Sequence, residues 1–281
     1  MEDFSRLIEA LDPWLPDVVI VGGWAHRLYR FHPLAQDVDY PPLFTLDTDV
    51  AVPQGLPVGE INIVDRLRKY GFEEKFLGDD QPPITRYTLG SEESGFFAEF
   101  LTPLSGSGYK RDGERDTTIR IAGVSSQKLR YLEILLQQPW SIHLDRSMGH
   151  VSNIEPKVRI ANAASFIGQK LLINEKREPR HRAKDVLYIH DTIEIFGDSL
   201  DALKAMWSEE VKPHVHENIL GKLKDNISEM FSKVTDTIRD AAEISRSLGR
   251  EVRPDDIREL CLRGTSMISS VNTQKRPCKI T

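Results

Sequence analysis

Two aspartates in the run Thr45-Leu46-Asp47-Thr48-Asp49 have the side-chain type and the spacing of a metal site. Because side chains alternate along a strand, Asp47 and Asp49 would project from one face while Thr48 points away. Mg²⁺ prefers oxygen ligands and usually binds one or two carboxylates together with substrate phosphates. The pair therefore predicts a site for a divalent cation and a phosphorylated substrate.

A third carboxylate, Glu99, interrupts the apolar run Phe96-Phe97-Ala98-Glu99-Phe100-Leu101. Burying a charge without a partner is costly, so this position predicts a cation or a hydrogen-bond donor facing Glu99. A metal shared with Asp47 and Asp49 would satisfy Glu99, and a buried Arg or Lys would satisfy it equally. The sequence leaves these two explanations open.

A second D-x-D, Asp37-Val38-Asp39, lacks the setting of the first. It runs directly into Tyr40-Pro41-Pro42, and proline removes a backbone donor and favours extended or turn conformations. Asp49 leads instead into the strand-like run Val50-Ala51-Val52. We therefore interpret the earlier pair as solvated charges on a loop.

Gly22-Gly23 directly follows Val18-Val19-Ile20-Val21, which reads as a strand. From Trp24 to Arg30 the apolar residues have helical spacing. Glycines at the start of a helix would let a phosphate approach free backbone N–H groups, and a plain tight turn is the alternative explanation. The sequence contains neither G-x-x-x-x-G-K-[ST] nor G-x-G-x-x-G, so it predicts no P-loop and no Rossmann site.

Together, Gly22-Gly23, Thr45-x-Asp47-x-Asp49 and Glu99 resemble the polymerase-β-type nucleotidyltransferase superfamily. The resemblance is closest to bacterial members that include toxins of toxin–antitoxin and abortive-infection systems. Lys170, within a helix-like run, and the pair Lys184-Asp185 match two further features of those proteins. The long spacer between the glycines and the D-x-D, with its several prolines, departs from minimal members.

The resemblance implies an α/β (α+β) fold, a small mixed sheet with flanking helices, followed by a helical C-terminal domain. It also implies two Mg²⁺ ions, with Mn²⁺ as an alternative, and transfer of a nucleoside monophosphate from an NTP such as ATP to an acceptor hydroxyl. The implied metal ligands are Asp47, Asp49 and Glu99, which with Lys170 would carry the catalysis. The implied nucleotide-binding residues are Gly22, Gly23, Thr45, Lys170 and Asp185.

The acceptor does not follow from these residues, because every acceptor hydroxyl would meet the same in-line chemistry. The toxin-like resemblance favours tRNA or another RNA 3′ end, with an antitoxin protein as a further partner. A protein hydroxyl or a small molecule such as an aminoglycoside is the alternative. A different class of function is a non-catalytic nucleotide- or RNA-binding protein of the same fold.

Composition agrees with a globular enzyme in the cytoplasm. The chain has 281 residues, 40% hydrophobic and 28% charged, a size that predicts two domains. No apolar run approaches the roughly 20 residues that span a bilayer, and residues 1–11 lack the features of a signal peptide, so we expect no membrane association. Cys261 and Cys278 do not form a zinc motif or a disulfide framework.

The periodicity predicts an α/β catalytic domain over residues 1–155, a helical domain over 156–270 and a flexible tail over 271–281. In the first domain, helices are expected at 3–11, 24–31, 61–70 and 126–137, and strands at 17–21, 45–52, 84–89, 96–101, 119–121 and 142–144. The Gly- and Ser-rich stretch 105–116 is either a mobile loop near the site or an uninvolved surface loop.

The second domain has two notable patterns. Six apolar residues at three- and four-residue steps predict one buried helical stripe that Gly249 closes: Ile219, Leu223, Ile227, Met230, Val234 and Ile238. Residues 157–184 carry eight Lys or Arg against two Glu, an excess of six positive charges in a chain of net charge −6. This segment predicts an anion site for a triphosphate or an RNA backbone, although solvated loop charge would also explain Arg180 and Arg182.

Overall fold

The computed structural model describes residues 1–56, 61–78, 84–90, 95–152 and 154–269. Nine described strands form one mixed sheet in the order β3-β4-β5-β2-β1-β9-β8, in which β7 also pairs with β5, and β6 pairs with β7. The strands are β1 Val19–Val21, β2 Asp47–Ala51, β3 Glu73–Leu77, β4 Ile84–Leu89, β5 Phe96–Pro103, β6 Thr118–Ile121, β7 Val124–Leu129, β8 Trp140–His143 and β9 Lys157–Ile160.

Helices surround the sheet and form the C-terminal part of the described chain, which confirms the expected α/β class with a mixed sheet and a helical C-terminal region. They are α1 Glu2–Leu11, α2 Gly22–Leu28, α3 Ile63–Lys69, α4 Leu132–Leu135, α5 Ala163–Ile173, α6 Pro179–Ile195, α7 Leu200–Met206, α8 Glu217–Phe231, α9 Asp236–Ser247 and α10 Pro254–Ser269. Short 3-10 turns lie at Asp12–Trp14, Tyr29–Phe31, Arg146–Met148, Asn174–Lys176, Gly197–Ser199 and Lys212–His214, and a π-helical turn lies at Trp207–Val211.

The apolar residues of the central elements explain why these elements pack together. All three residues of β1 are buried, and α1 buries its stripe of Phe4, Leu7, Ile8 and Leu11. Each fully buried aliphatic side chain contributes about 1.5–3 kcal/mol relative to an exposed one. The core therefore fixes β1, and the sheet hydrogen bonds of β1 fix its neighbours β2 and β9.

Strand register brings charged residues into one row. β2 runs parallel to β5, with Asp47 opposite Phe97 and Asp49 opposite Glu99. β4 runs antiparallel to β5 and places Arg86 opposite Glu99. Side chains at paired positions lie on the same face of a sheet, so Asp49, Glu99 and Arg86 are neighbours across three strands.

The predicted helix over 126–137 is wrong. Residues 124–129 form β7, which pairs in parallel with residues 100–103 of β5, and only Leu132–Leu135 is helical. β4 pairs with residues 96–99 of β5. The backbone N–H and C=O groups on the same edge of residues 100–103 of β5 therefore need another strand as a hydrogen-bond partner. That long-range pairing overrides the local helical pattern. The strand β3 was not predicted.

The predicted single stripe is also wrong, because it is divided between two helices. α8 ends at Phe231 and α9 begins at Asp236. Thr235 caps α9, since its hydroxyl accepts a hydrogen bond from the Ile238 backbone N–H at 3.4 Å. Gly249 follows α9 with φ of +80°, the left-handed conformation expected where a helix ends.

The predicted strand over 84–89 is present with the same ends, and the other predicted elements of the first 101 residues are present with shifted ends. The predicted strands near 119–121 and 142–144 are β6 and β8. The domain division at residue 155 remains a proposal; β9, which follows it, pairs with β1. The predicted tail 271–281 and Cys278 lie outside the described residues. None of the described helices combines the length and the apolar character that a membrane span requires.

Candidate active site

A cavity of about 930 Å³ opens over the row of charged residues on β2 and β5. One side of the lining comes from β2 and β5, and the other comes from α5, α6 and the turn between these helices. The structure brings all eight residues predicted for the site to this one cavity: Gly22, Gly23, Thr45, Asp47, Asp49, Glu99, Lys170 and Asp185.

The two glycines make close contacts that a larger residue would block. Gly22 has φ of +64°, and a Cβ on it would collide with the Asp49 carboxylate. A Cβ on Gly23 would lie 2.8 Å from both Thr45 Cγ2 and Tyr188 Oη. The glycines therefore let the backbone pass directly beside the Asp49 carboxylate, Thr45 and Tyr188.

Asp49 is partly buried beside two other acids. Burial, followed by the neighbouring charges of Asp47 and Glu99, raises the pKa of Asp49 to about 7, and Lys170 and Arg177 oppose the shift. Thr45 donates a hydrogen bond from its hydroxyl to the Asp47 carboxylate. Three carboxylates at one place, with this raised pKa, form an environment that a divalent cation would stabilise.

Glu99 has a cation facing it, as its position predicted. Arg86 donates from Nε to Glu99 Oε1 at 2.7 Å, and the Arg86 guanidinium lies 4.5 Å from the Phe97 ring centroid. Of the two explanations that the sequence left open, the arginine partner is present. Arg86 was not predicted, but pairing the two predicted strands as a hairpin places it opposite Glu99.

A tight cluster of side chains that could bind a metal lies outside this cavity. Among the described residues, one group of three His, Cys, Asp or Glu side chains has ligand atoms all within 4.8 Å of one another: His190, Asp191 and Glu194 on α6. Arg250 donates to both carboxylates of that group, so a protein cation already lies there. The oxygens of the predicted metal ligands Asp47, Asp49 and Glu99 are not all this close together.

Lys170 on α5 and Asp185 on α6 form a buried ion pair on the helical side of the cavity. Lys170 Nζ lies 2.6 Å from Asp185 Oδ1, and Arg177 Nε lies 3.0 Å from Asp185 Oδ2. The Asp185 side chain is 1% exposed. Asp185 is not a helix-start carboxylate, because α6 begins at Pro179 and Asp185 lies more than one turn inside it.

The cavity is positively charged although the chain is acidic. Eight Lys or Arg against four Asp or Glu line it, an excess of four positive charges: Arg86, Arg115, Lys128, Arg130, Lys170, Lys176, Arg177 and Lys184 against Asp47, Asp49, Glu99 and Asp185. Four of these cations come from the predicted basic segment. Arg180 and Arg182 are not among the lining residues, and Arg182 donates to the carbonyls of Arg177 and Glu175.

Tyr188 is a lining residue that sequence reasoning missed. It lies one turn after Lys184 on α6, and the Nζ atoms of Lys184 and Lys170 lie 5.6 and 5.0 Å from its ring centroid. Burial raises the pKa of the Tyr188 phenol, and burial lowers the pKa of Lys184. The signal available in the sequence was the four-residue spacing from Lys184, which places both side chains on one helix face.

A family model described as nucleotidyltransferase matches residues 2–212. No curated protein matches the chain significantly. Among solved structures, the crystal structure of an antigenic nucleotidyltransferase-like protein from Paracoccidioides brasiliensis is similar over 89% of this chain and 91% of that chain, with 16% identity and a TM-score of 0.41.

Proposed function

Because the chain belongs to the nucleotidyltransferase family whose model matches residues 2–212, we propose that it transfers a nucleoside monophosphate from an NTP to an acceptor hydroxyl. The observation that carries the proposal is the row of Asp47, Asp49 and Glu99 facing Lys170 across one cavity. In the cavity, the carboxylates are suited to cations and Lys170 to phosphate.

The carboxylates fit a divalent cation. Their oxygens are the hard ligands that Mg²⁺ prefers, and the absence of a side chain on Gly22 lets the Asp49 carboxylate lie directly against the turn. Nucleotidyltransferases generally use divalent metals. In this proposal Asp47, Asp49 and Glu99 hold two Mg²⁺ ions, or Mn²⁺ in their place. When bound, such ions neutralise phosphate charge and make an acceptor hydroxyl easier to deprotonate.

The protein's own groups position the reactants. Lys170, held by Asp185, neutralises charge on the triphosphate, and Arg177 and Lys184 lie beside it. The acceptor oxygen forms a bond to the α-phosphorus, the bond to the bridging oxygen breaks, and pyrophosphate leaves. Glu99, held in place by Arg86, accepts the proton of the acceptor hydroxyl. Gly22, Gly23 and Thr45 contribute to the nucleotide-binding side of the cavity.

For the acceptor we propose tRNA or another RNA 3′ end in the cytoplasm. The excess of positive charge around the cavity supports a polyanionic acceptor. A toxin-like role with an antitoxin partner belongs to the same proposal and rests on the sequence resemblance. Residues 1–155 would supply the carboxylates, and residues 156–270 would supply Lys170 and Asp185.

The test is transfer of label from each of the four α-labelled NTPs, with Mg²⁺, to total RNA, purified tRNA and protein. Asp47→Asn and Glu99→Gln should abolish labelling, as should removal of Mg²⁺ with EDTA. Asp240→Asn and Glu229→Gln are the matched controls, because both side chains are exposed, lie outside the cavity lining and should leave labelling unchanged.

Label confined to protein, or to an added small molecule such as an aminoglycoside, would keep the chemistry and replace the acceptor. Metal-dependent NTP binding by the folded native chain without any labelled product would instead favour a non-catalytic binding protein. Labelling that survives both Asp47→Asn and Glu99→Gln would contradict the assignment of the site.

A further inference from the structure

The segment between α2 and β2 lies along α6 as a strap, defined here as residues 32–46. It has no regular secondary structure and runs opposite to α6. Four hydrogen bonds show this direction, because successive strap residues contact positions progressively closer to the start of α6. Near the end of α6, Ser199 Oγ donates to the Leu34 carbonyl at 2.9 Å, and the Gln36 backbone N–H donates to the Ile195 carbonyl at 2.8 Å. Further along the strap, Tyr40 Oη donates to Glu194 Oε2 at 2.8 Å, and Lys184 Nζ donates to the Phe44 carbonyl at 3.4 Å.

The strap ends in the candidate active site. Its last residues include Thr45, which lines the cavity and donates to the Asp47 carboxylate. The sheet pairing fixes β2 itself, so the contact of the strap with α6 at Phe44 bears on where its next residue, Thr45, lies beside Asp47. This gives a structural role to the long spacer that separates the glycines from the D-x-D in the sequence.

Arg250 fastens the strap to α6 from a third element. It lies between α9 and α10, and its side chain is 15% exposed. Its Nη1 lies 2.6 Å from Asp191 Oδ1, its Nη2 donates to the Glu194 carboxylate, and its Cζ lies 3.5 Å from the Tyr40 ring centroid. One guanidinium thus contacts two acids of α6 and the aromatic ring of the strap.

The chemistry of these contacts makes them specific to arginine. A planar guanidinium can stack on an aromatic ring while it donates in its own plane to carboxylates, which a lysine ammonium cannot do. Tyr40 is fixed on its other side as well, since Arg30 donates from Nη1 to the Tyr40 carbonyl at 2.5 Å. Tyr40 is therefore held through both its side chain and its backbone carbonyl.

We propose that Arg250 is a positioning residue which, by holding Tyr40 against α6, fixes the strap and thereby sets nucleotide affinity at Thr45 and Asp47. Arg250 lies outside residues 2–212, so the C-terminal helical region takes part in building a site whose functional groups all precede it. The proposal rests on the proposed function, because it assigns the strap an effect on nucleotide binding.

Two variants separate this role from general stability. Arg250→Ala would leave Asp191 buried without its cation and can unfold the chain, so it is not the informative change. Tyr40→Leu removes the stacking and the hydroxyl contact but leaves the Arg250–Asp191 pair. Arg250→Lys keeps the positive charge but loses the planar guanidinium that stacks on Tyr40 and donates to two carboxylates. Arg253→Ala is the matched control, since that side chain is 80% exposed and pairs with Asp256.

The experiment measures two quantities on the folded full chain. The first is hydrogen exchange of the backbone amides in residues 36–46. The second is the Kd for the α,β-methylene analogues of the four NTPs with Mg²⁺, together with KM and kcat for label transfer. Tyr40→Leu should speed exchange and weaken nucleotide binding, each about tenfold, and raise KM more than it lowers kcat. Arg250→Lys should act in the same direction, and Arg253→Ala should change neither quantity.

Faster exchange of the strap with an unchanged Kd would overturn the proposal, because the strap would then be a structural element only. Unchanged exchange in Tyr40→Leu would overturn it at the earlier step. If the native chain binds none of the analogues, the proposed function fails as well. If the native chain and both variants bind the analogues with the same Kd, only the role of the strap fails.

Discussion

Arg86 and Glu99 face each other in register across β4 and β5, with Nε of Arg86 2.7 Å from Oε1 of Glu99. This pair lies beside Asp49 in the row of charges that the proposed function uses. An arginine therefore already neutralises part of the acidic site. The proposed metal ions would share Glu99 with that arginine.

Arg86→Met should make the protein depend more on metal for its stability. Glu99 loses the charged hydrogen bond from Arg86, so the free energy of unfolding in EDTA should fall by about 1–2 kcal/mol. Because a cation would then offset the three acids, Mg²⁺ should restore most of the loss. Urea unfolding with EDTA and with Mg²⁺ measures both effects. Arg120→Met is the control, since that exposed side chain lies 3.9 Å from Glu74. Equal stability of Arg86→Met in the two buffers would contradict metal binding at Glu99.

Gly22→Ala should abolish nucleotidyl transfer. The residue has φ of +64°, and a Cβ would collide with Asp49, so either the turn or the carboxylate must move. We expect a loss of about 1–3 kcal/mol in the free energy of unfolding and of at least about a hundredfold in kcat/KM. Gly55→Ala is the comparison, because a Cβ there meets nothing within 4 Å. Near-native kcat/KM in a folded Gly22→Ala protein would show that the close approach to Asp49 is unimportant.

Lys170 and Asp185 allow a phosphate-binding role to be separated from a structural one. Lys170→Met alone should lower the free energy of unfolding by about 3 kcal/mol, because Asp185 loses its nearest cation, and should reduce kcat/KM about a hundredfold or more. The double variant Lys170→Met with Asp185→Asn removes the buried charge and should recover stability without activity. Recovery of both in the double variant would mean that Lys170 serves only to neutralise Asp185.

His26 should make the folded state less stable in acid. Burial lowers its pKa to about 4 from 6.5, and neither ring nitrogen has a hydrogen-bond partner among the described residues. The unfolded chain therefore binds a proton between these pH values that the folded chain excludes. His26 should therefore contribute a loss of about 3 kcal/mol to the free energy of unfolding as the pH drops from 6.5 to 4, and no further loss below that. The raised pKa of Asp49 acts in the opposite direction over this window, so the His26 contribution is measured as a difference from a variant without His26.

Urea unfolding at intervals between pH 4 and 7 checks this expectation, with His26→Leu as the comparison. Relative to the variant, the native chain should lose about 3 kcal/mol in the free energy of unfolding over the same window, since leucine takes up no proton. Parallel curves for the native and variant proteins would show that His26 is not the group responsible.

Local sequence was sufficient to predict the parts of the site that depend on one strand or one turn. The two-residue period places Asp47 and Asp49 on a common face, and the glycines after the strand predicted a turn into a helix, which begins at Gly22. The need of Glu99 for a facing charge also followed from its apolar neighbours, because a buried carboxylate without a partner is costly whatever the fold.

Only the tertiary structure decided which residues meet these requirements. The register of β4 and β5 selected Arg86 as the partner of Glu99, and the open edge of β5 turned residues 124–129 into a strand. Arg250 reaches Tyr40 across more than two hundred residues of chain. Such pairings depend on which distant groups remain unsatisfied once the elements pack, and periodicity within a short window carries no information about them.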